Sequence, residues 1–338
     1  MAGAITTEAD LAALGVTRIP VPVPFPQAGG PVNVYAIEDE DGVALYDSGL
    51  GSPEGEAALA KGLGDAGWRF EDVTRIVVSH GHVDHYGAAR TVLERAGRPV
   101  PIYAHPDDIP KMSESGWRFR DRLPHYAAYF LKLGVPAQEI AAMSAEVSGG
   151  FKLARRIPEL RPLAGGEVLR FRRLSAEVLH MPGHTPGLVC LHDAERRLLF
   201  AADHLLEKIS PNPIIELGAD GQEGTFRPLV AYIRSISKVR ALDLDLVLPG
   251  HGPAFTGHRG VIDGLLGFYR KRQSRILEAL AAGPLSGYEI ARVLFPAVRV
   301  KDLFLVMSET VANVEVLEAR GEVRRSDDGT LYRYALAA

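Results

Sequence analysis

The sequence predicts an α/β fold that gives way, near residue 258, to a small helical tail closed by a β-hairpin. Three observations carry that prediction. Short β-rich runs alternate with helical patterns before residue 258, and the pattern becomes helical after it. The 338-residue chain is also 46% hydrophobic and 24% charged, enough to bury a large core. One large and one smaller domain are expected, at 1–257 and 258–338.

The elements follow in order. Residues 18–24 (RIPVPVP) read as a strand whose repeated prolines place it at a sheet edge. Residues 32–37 and 43–46 flank the turn-forming Glu40-Asp41-Gly42, which predicts a hairpin. Residues 53–66 read as a helix, 75–79 as a buried strand, 87–96 as a helix and 100–104 as the next strand. Further strands are expected at 176–180, 188–192, 198–201 and 244–248. Between these halves, 106–163 is a helical insertion carrying Trp117, Tyr126, Tyr129 and Phe130. Those rings either dock the insertion or shape a substrate pocket as a lid.

In the tail, 260–282 is a long helix with Arg270-Lys271-Arg272 near its middle, broken by Gly283-Pro284. Ser286 is placed to cap a short helix that ends before Pro296. Residues 303–320 make a third helix, and 322–325 with 330–336 bracket the hairpin turn Asp327-Asp328-Gly329. Three helices and a terminal hairpin form a winged-helix pattern.

Bulk properties narrow the partners. A formal charge of −4 and a pI near 6.3 give no whole-chain attraction to nucleic acid or to an anionic membrane. Cys190 is the single cysteine, which excludes an intramolecular disulfide and fits a reducing compartment. The first residues lack a basic start and an apolar signal core, and no run is long enough to span a bilayer; a cytoplasmic protein is expected.

The chemistry concentrates in His80-Gly81-His82-Val83-Asp84-His85, three imidazoles and a carboxylate at the end of the 75–79 strand. Such a density of donors suits zinc, iron or manganese. Alternation puts His80 and His82 on one side of an extended segment, within reach of one ion. Asp84 and His85 project differently as the chain turns into a helix, and can serve a second ion. More ligands must come from afar, since catalytic zinc takes three protein ligands and keeps a position open. His184 on a glycine-flanked turn, Asp203 at a strand end and His251 between glycines meet that demand.

In this order the set resembles the metallo-β-lactamase superfamily over roughly residues 18–257. Asp47, in Leu45-Tyr46-Asp47-Ser48-Gly49, fits that superfamily's early aspartate, which braces the metal loop as an acceptor behind the ligands. The resemblance implies that His80, His82 and His184 hold one metal, that Asp84, His85 and His251 hold the other, and that Asp203 bridges them. It implies an αββα sandwich of two mixed β-sheets with the metals at one edge. It also implies two divalent ions, zinc first with iron or manganese as alternatives, and a bridging hydroxide that attacks an electrophilic carbon or phosphorus. Asp84 or Asp203 would shuttle the proton to the leaving group. His204 is the best further candidate, as a substrate contact or a donor behind the ligands. His180 reads as an ordinary strand residue, His105, His125 and His192 as surface or loop residues, and His258 as a cap of the long tail helix.

The tail pattern resembles superfamily hydrolases with a small winged-helix tail, a group that includes a mitochondrial endoribonuclease, and not the glutathione-binding helices of glyoxalase II. From Arg259 to Ala338 there are 12 basic and 10 acidic residues, a net charge of only +2. Arg324 and Arg325 on the wing, with Arg299 and Lys301, offer a modest basic patch, while Glu309, Glu315 and Glu318 on the third helix oppose insertion into a groove. Packing on the catalytic part, completing a pocket or forming a homodimer is favoured over binding nucleic acid. The expected function is a dinuclear metal-dependent hydrolase of a small ester-like substrate, thioesters first. A metal-dependent endoribonuclease or phosphodiesterase and a non-enzymatic winged-helix regulator are the alternatives.

Overall fold

The computed structural model describes residues 6–24, 26–114, 116, 119–150, 153–218, 221–297 and 299–337; Trp117 lies outside the described residues. Two mixed sheets are stacked with helices outside. The first has the order β1 (Val16–Val21), β2 (Val32–Asp39), β3 (Gly42–Tyr46), β4 (Val73–Val77), β5 (Ile102–Ala104) and β6 (Arg161–Pro162). Its first two pairings are antiparallel and the rest parallel. The second sheet runs β11 (Leu246–Pro249), β10 (Leu198–Ala202), β9 (Val189–Asp193), β8 (Ser175–His180) and β7 (Val168–Arg170), antiparallel except for β10 with β11.

Burial on both faces explains the continuous apolar runs. In β2, Val32, Val34 and Ala36 face one core with Leu59 and Leu63 of helix α2 (Pro53–Asp65) and Val92 of α4 (Ala89–Ala96). The alternate residues Tyr35 and Ile37 enter the layer between the sheets, where Phe200 meets Tyr35 and Tyr46 edge to face at centroid distances of 5.4 and 5.8 Å. The outer face of the second sheet packs on α8 (Pro228–Ala241) and on the tail helices α9 (His258–Leu280) and α11 (Leu303–Ala319). As the prolines indicated, β1 lies at the edge.

The expected elements appear with shifts of a few residues, and several others were not anticipated. Helix α1 (Glu8–Ala13) precedes β1, the one-turn helix α3 (Val83–Tyr86) lies within the histidine motif, β6 ends the insertion as a strand at the edge of the first sheet, β7 fills the edge of the second, and α8 occupies a stretch with no assigned element in the sequence. The buried face of α8 (Leu229, Tyr232, Ile236, Val239) has helical spacing, diluted by the β-branched residues and serines around it.

The insertion forms α5 (Ile109–Met112), α6 (Phe119–Lys132) and α7 (Ala137–Gly150). Tyr126, Tyr129 and Phe130 pack with Ile290, Leu303, Met307, Tyr332 and Tyr334, so these rings dock the insertion onto the tail. In the tail, Ser286 caps α10 (Gly287–Leu294), its hydroxyl accepting the Glu289 N–H at 3.2 Å. Strands β12 (Val323–Asp327) and β13 (Tyr332–Leu336) form the terminal hairpin. Helix α11 is buried from Met307 to Val314 without a break. Its Glu309 is not displayed outward but pairs in the interior with Arg272, whose guanidinium lies between the Phe268 and Phe295 rings at 4.1 and 4.6 Å. No helix among the described residues is long and apolar enough to cross a membrane.

Candidate metal centre

Strand β4 delivers the histidine motif to the end of the first sheet, and Asp47, at the end of β3, receives it. Asp47 sits in the left-handed region with φ 64°, a conformation aspartate tolerates better than most residues. One carboxylate oxygen accepts the Ser79 N–H at 2.7 Å; the other accepts the Ser79 hydroxyl at 2.8 Å and lies 2.7 Å from His85 Nδ1. Ser79 Oγ is in turn 2.9 Å from His80 Nδ1. One buried carboxylate therefore fixes the orientation of two imidazoles, directly at His85 and through Ser79 at His80.

The seven residues expected to form the cage come together. His80 Nε2 and His184 Nε2 lie 3.0 and 2.9 Å from His82 Nδ1, so three ring nitrogens converge on one point. Asp84, His85 and His251 form a second group, with His251 Nε2 at 3.4 Å from Asp84 Oδ2. Asp203 stands between the groups: Oδ1 is 3.5 Å from His85 Nε2, and Oδ2 is 3.5 Å from His184 Nε2 and 3.6 Å from His251 Nε2.

These separations fit metal ligation. His85 Nε2 and Asp203 Oδ1 are buried and have no hydrogen-bond partner, although they face one another. Such orphaned groups are costly unless something binds them. Ligand atoms at 2.0–2.1 Å around a tetrahedral ion stand about 3.4 Å apart, close to the spacings of the second group. Burial, reinforced by neighbouring histidines, holds His80 well below the usual imidazole range and lowers His82 to about 3, so both are neutral lone-pair donors at pH 7. At His85 burial acts in the same direction, but the carboxylates of Asp203, Asp47 and Asp84 outweigh it and raise the value.

Backbone carbonyls orient the two ligands from later in the chain. His184 Nδ1 is 2.8 Å from the Asn212 carbonyl, and His251 Nδ1 is 3.2 Å from that of Pro31. Asn33 ties down the His251 loop, its amide donating to the Pro249 and Gly252 carbonyls at 2.9 and 2.7 Å. Gly250 is required by close approach: a Cβ there would overlap Asp203 Oδ1 and lie 3.0 Å from His85 Cε1. Gly250→Ala should therefore retain its secondary structure by circular dichroism yet lose bound metal; full metal content in the variant would contradict this geometry.

The sequence reading missed Asp108. Fully buried, its carboxylate accepts the Gly81 N–H at 2.9 Å, the Thr185 hydroxyl at 2.6 Å and the Gly187 N–H at 3.3 Å, and pairs with Lys111 at 3.1 Å. It thus fastens the His80–His82 loop to the His184 loop. Lys111 continues the chain of charges to Glu216. Apart from Lys111, three residues on, its partners are distant in the chain, so nothing local marks Asp108 as a strut.

Other histidines differ from expectation. His204 is fully buried beside Tyr232, and neither ring nitrogen makes a hydrogen bond to the described residues. His192 is buried in β9 rather than on the surface or in a loop, whereas His105 lies in the loop after β5, as expected, though buried and stacked on His180 at a centroid distance of 3.8 Å. His258 does not cap α9; its Nε2 lies 3.2 Å from the Leu242 carbonyl. Cys190 is buried, as expected.

Two stacked mixed sheets with a His/Asp cage at one end define a metallo-hydrolase. The chain belongs to the metallo-beta-lactamase superfamily, whose family model matches residues 28–251. It is 31% identical over 325 residues to the probable metallo-hydrolase YqjP of Bacillus subtilis (strain 168), covering 94% of this chain and 97% of that protein. Similarity to the acyl-coenzyme A thioesterase MBLAC2 of Homo sapiens is 25% over 253 residues, 70% of this chain and 78% of that protein. The crystal structure of a metallo-beta-lactamase family protein from Thermus thermophilus superposes with a TM-score of 0.78 at 28% identity, covering 95% of this chain and 98% of that one.

Proposed function

We propose that this protein is a dinuclear metal-dependent hydrolase of small ester-like substrates, with acyl thioesters first among them. The observation that carries the reading is the arrangement of two separate ligand groups around the shared carboxylate of Asp203. His80, His82 and His184 would hold one ion, Asp84, His85 and His251 the other. A donor set of imidazoles and carboxylates suits zinc best, with iron and manganese compatible. Bound there, such ions supply a water activated near neutral pH and a Lewis acid for the substrate carbonyl.

The chain's own groups set the direction of approach and the proton path. His80 and His85 are fully buried, whereas His82, Asp84 and Asp203 keep some exposure and line the accessible side. Asp84 and Asp203 are the carboxylates of the ligand groups, and either would pass a proton from the activated water to the leaving group. A thiolate, with a thiol pKa of about 8.5, departs with little help, whereas an alkoxide or amide nitrogen needs a strong acid. That favours thioesters, and the similarity to a thioesterase supports it.

Two features weigh against nucleic acid as substrate or partner. The third tail helix is buried where a groove-reading helix would be exposed. Of the basic residues on offer, Arg325 pairs with Glu223 and Arg299 with Asp302. The test is a panel of acyl thioesters, lactones, phosphodiesters and RNA, given to the metal-loaded protein. Thioester kcat/KM should exceed the others at least about tenfold; faster cleavage of RNA or phosphodiesters would sink the proposal.

A further inference from the structure

The segment Ser210-Pro211-Asn212-Pro213-Ile214-Ile215 is a strap that is neither helix nor strand. Its two prolines remove backbone donors and hold the residues before them extended, so its shape is set by outside contacts. Those contacts come from the tail. Tyr269 of α9 donates its hydroxyl to the Pro211 carbonyl at 3.1 Å. The Asn212 amide donates to the Leu305 carbonyl in the first turn of α11 at 3.0 Å, and the Ile215 N–H donates to Ser308 Oγ at 3.2 Å. The other side of the strap meets the metal cage, where the Asn212 carbonyl accepts from His184 Nδ1 at 2.8 Å.

We infer that Asn212 is a positioning residue for His184, and that the tail helix α11, through the Asn212 amide, sets where the His184 lone pair points. The Asn212 carbonyl holds the proton of His184 on Nδ1, which leaves Nε2 as the donor facing His82 Nδ1 at 2.9 Å. The side chain of the same residue anchors that carbonyl to α11. The tail is thereby a working part of the metal site, reached through one residue that touches both. The inference rests on the metal-ligand reading of His184.

The test uses full-length, metal-free protein and Zn²⁺ as the probe. Asn212→Leu keeps most of the bulk of the side chain but loses the donor to Leu305 without adding a charge, and Asn212→Ala removes the side chain. Both should weaken Zn²⁺ binding about 10- to 100-fold in competition with a chromophoric chelator. The absorption spectrum of Co²⁺ loaded in place of zinc should change as well. The melting midpoint of the metal-free protein should stay within about 3 °C, the effect of one lost hydrogen bond. Zn²⁺ affinity within twofold of the parent overturns the inference. So does a loss of affinity matched by a large fall in the metal-free midpoint, which marks general loosening. If the parent itself binds no Zn²⁺, the metal-site reading fails too; if the parent binds and the variants bind equally, only the role of Asn212 fails.

Discussion

Asp203→Ala is expected to lower hydrolysis at least roughly a thousandfold and to leave the chain unable to hold two ions. Asp203 is the residue whose oxygens face both ligand groups, at 3.5 Å from His85 and from His184 and 3.6 Å from His251. Without it, Asp84 is the single remaining carboxylate among the cage ligands, and five imidazoles cannot neutralise a pair of divalent cations. Several kcal/mol of transition-state stabilisation rest on the ions, and each 1.4 kcal/mol is tenfold in rate. The fold should survive, because the backbone of β10 is held by ladders on both sides, to β9 and to β11. Metal content and kcat/KM measured on the same preparation check the prediction; a variant with parental activity would contradict it.

The second large effect lies outside the ligands. Asp108→Ala should destabilise the protein by roughly 3–5 kcal/mol, because the buried Gly81 and Gly187 N–H groups and the Thr185 hydroxyl lose their acceptor at about 1–3 kcal/mol each, while Lys111 keeps Glu216. Four contacts disappear together, those to Gly81, Thr185, Gly187 and Lys111. Two of these residues sit beside the ligands His80, His82 and His184, so metal affinity should fall with stability. Burial alone would raise the Asp108 carboxyl, but Lys111, Thr185 and Gly81 hold it below the usual carboxylate range. The sign follows from linkage. A lowered folded pKa gives stabilisation that is full above the unfolded value, about 3.9, and is lost as pH falls through the folded one. Parent and variant should therefore differ fully in denaturant midpoint at pH 7, and the difference should begin to shrink only as the pH falls below about 4. Equal midpoints at pH 7 would show that Asp108 is not the strut between the loops.

The contrast between Asp203 and Asp108 shows what the sequence reveals. The cage ligands announce themselves because metal chemistry restricts residue type and position: imidazoles cluster in one hexapeptide, and His184, Asp203 and His251 follow strand ends with glycines beside two of them. Elements with a strong local cause were equally legible, as with Pro20 at the sheet edge, the turn before Val43 and the Ser286 cap. Asp108, Asn33 and Asn212 were not, because each acts through backbone groups far away in the chain that any sequence supplies. Helix α11 shows the same limit. Its acidic residues speak against insertion into a groove, but nothing local shows that Glu309 finds Arg272 inside. The insertion's aromatics carried two readings until their partners in the tail were known.

The most direct test of the central claim is a titration of metal-free protein with Zn²⁺, read by metal analysis after removal of unbound ion. Two ligand groups sharing Asp203 predict saturation at two ions per chain, with hydrolysis of a thioester appearing as the sites fill. Saturation at one ion per chain, with every ligand intact and metal in excess, would contradict the dinuclear site.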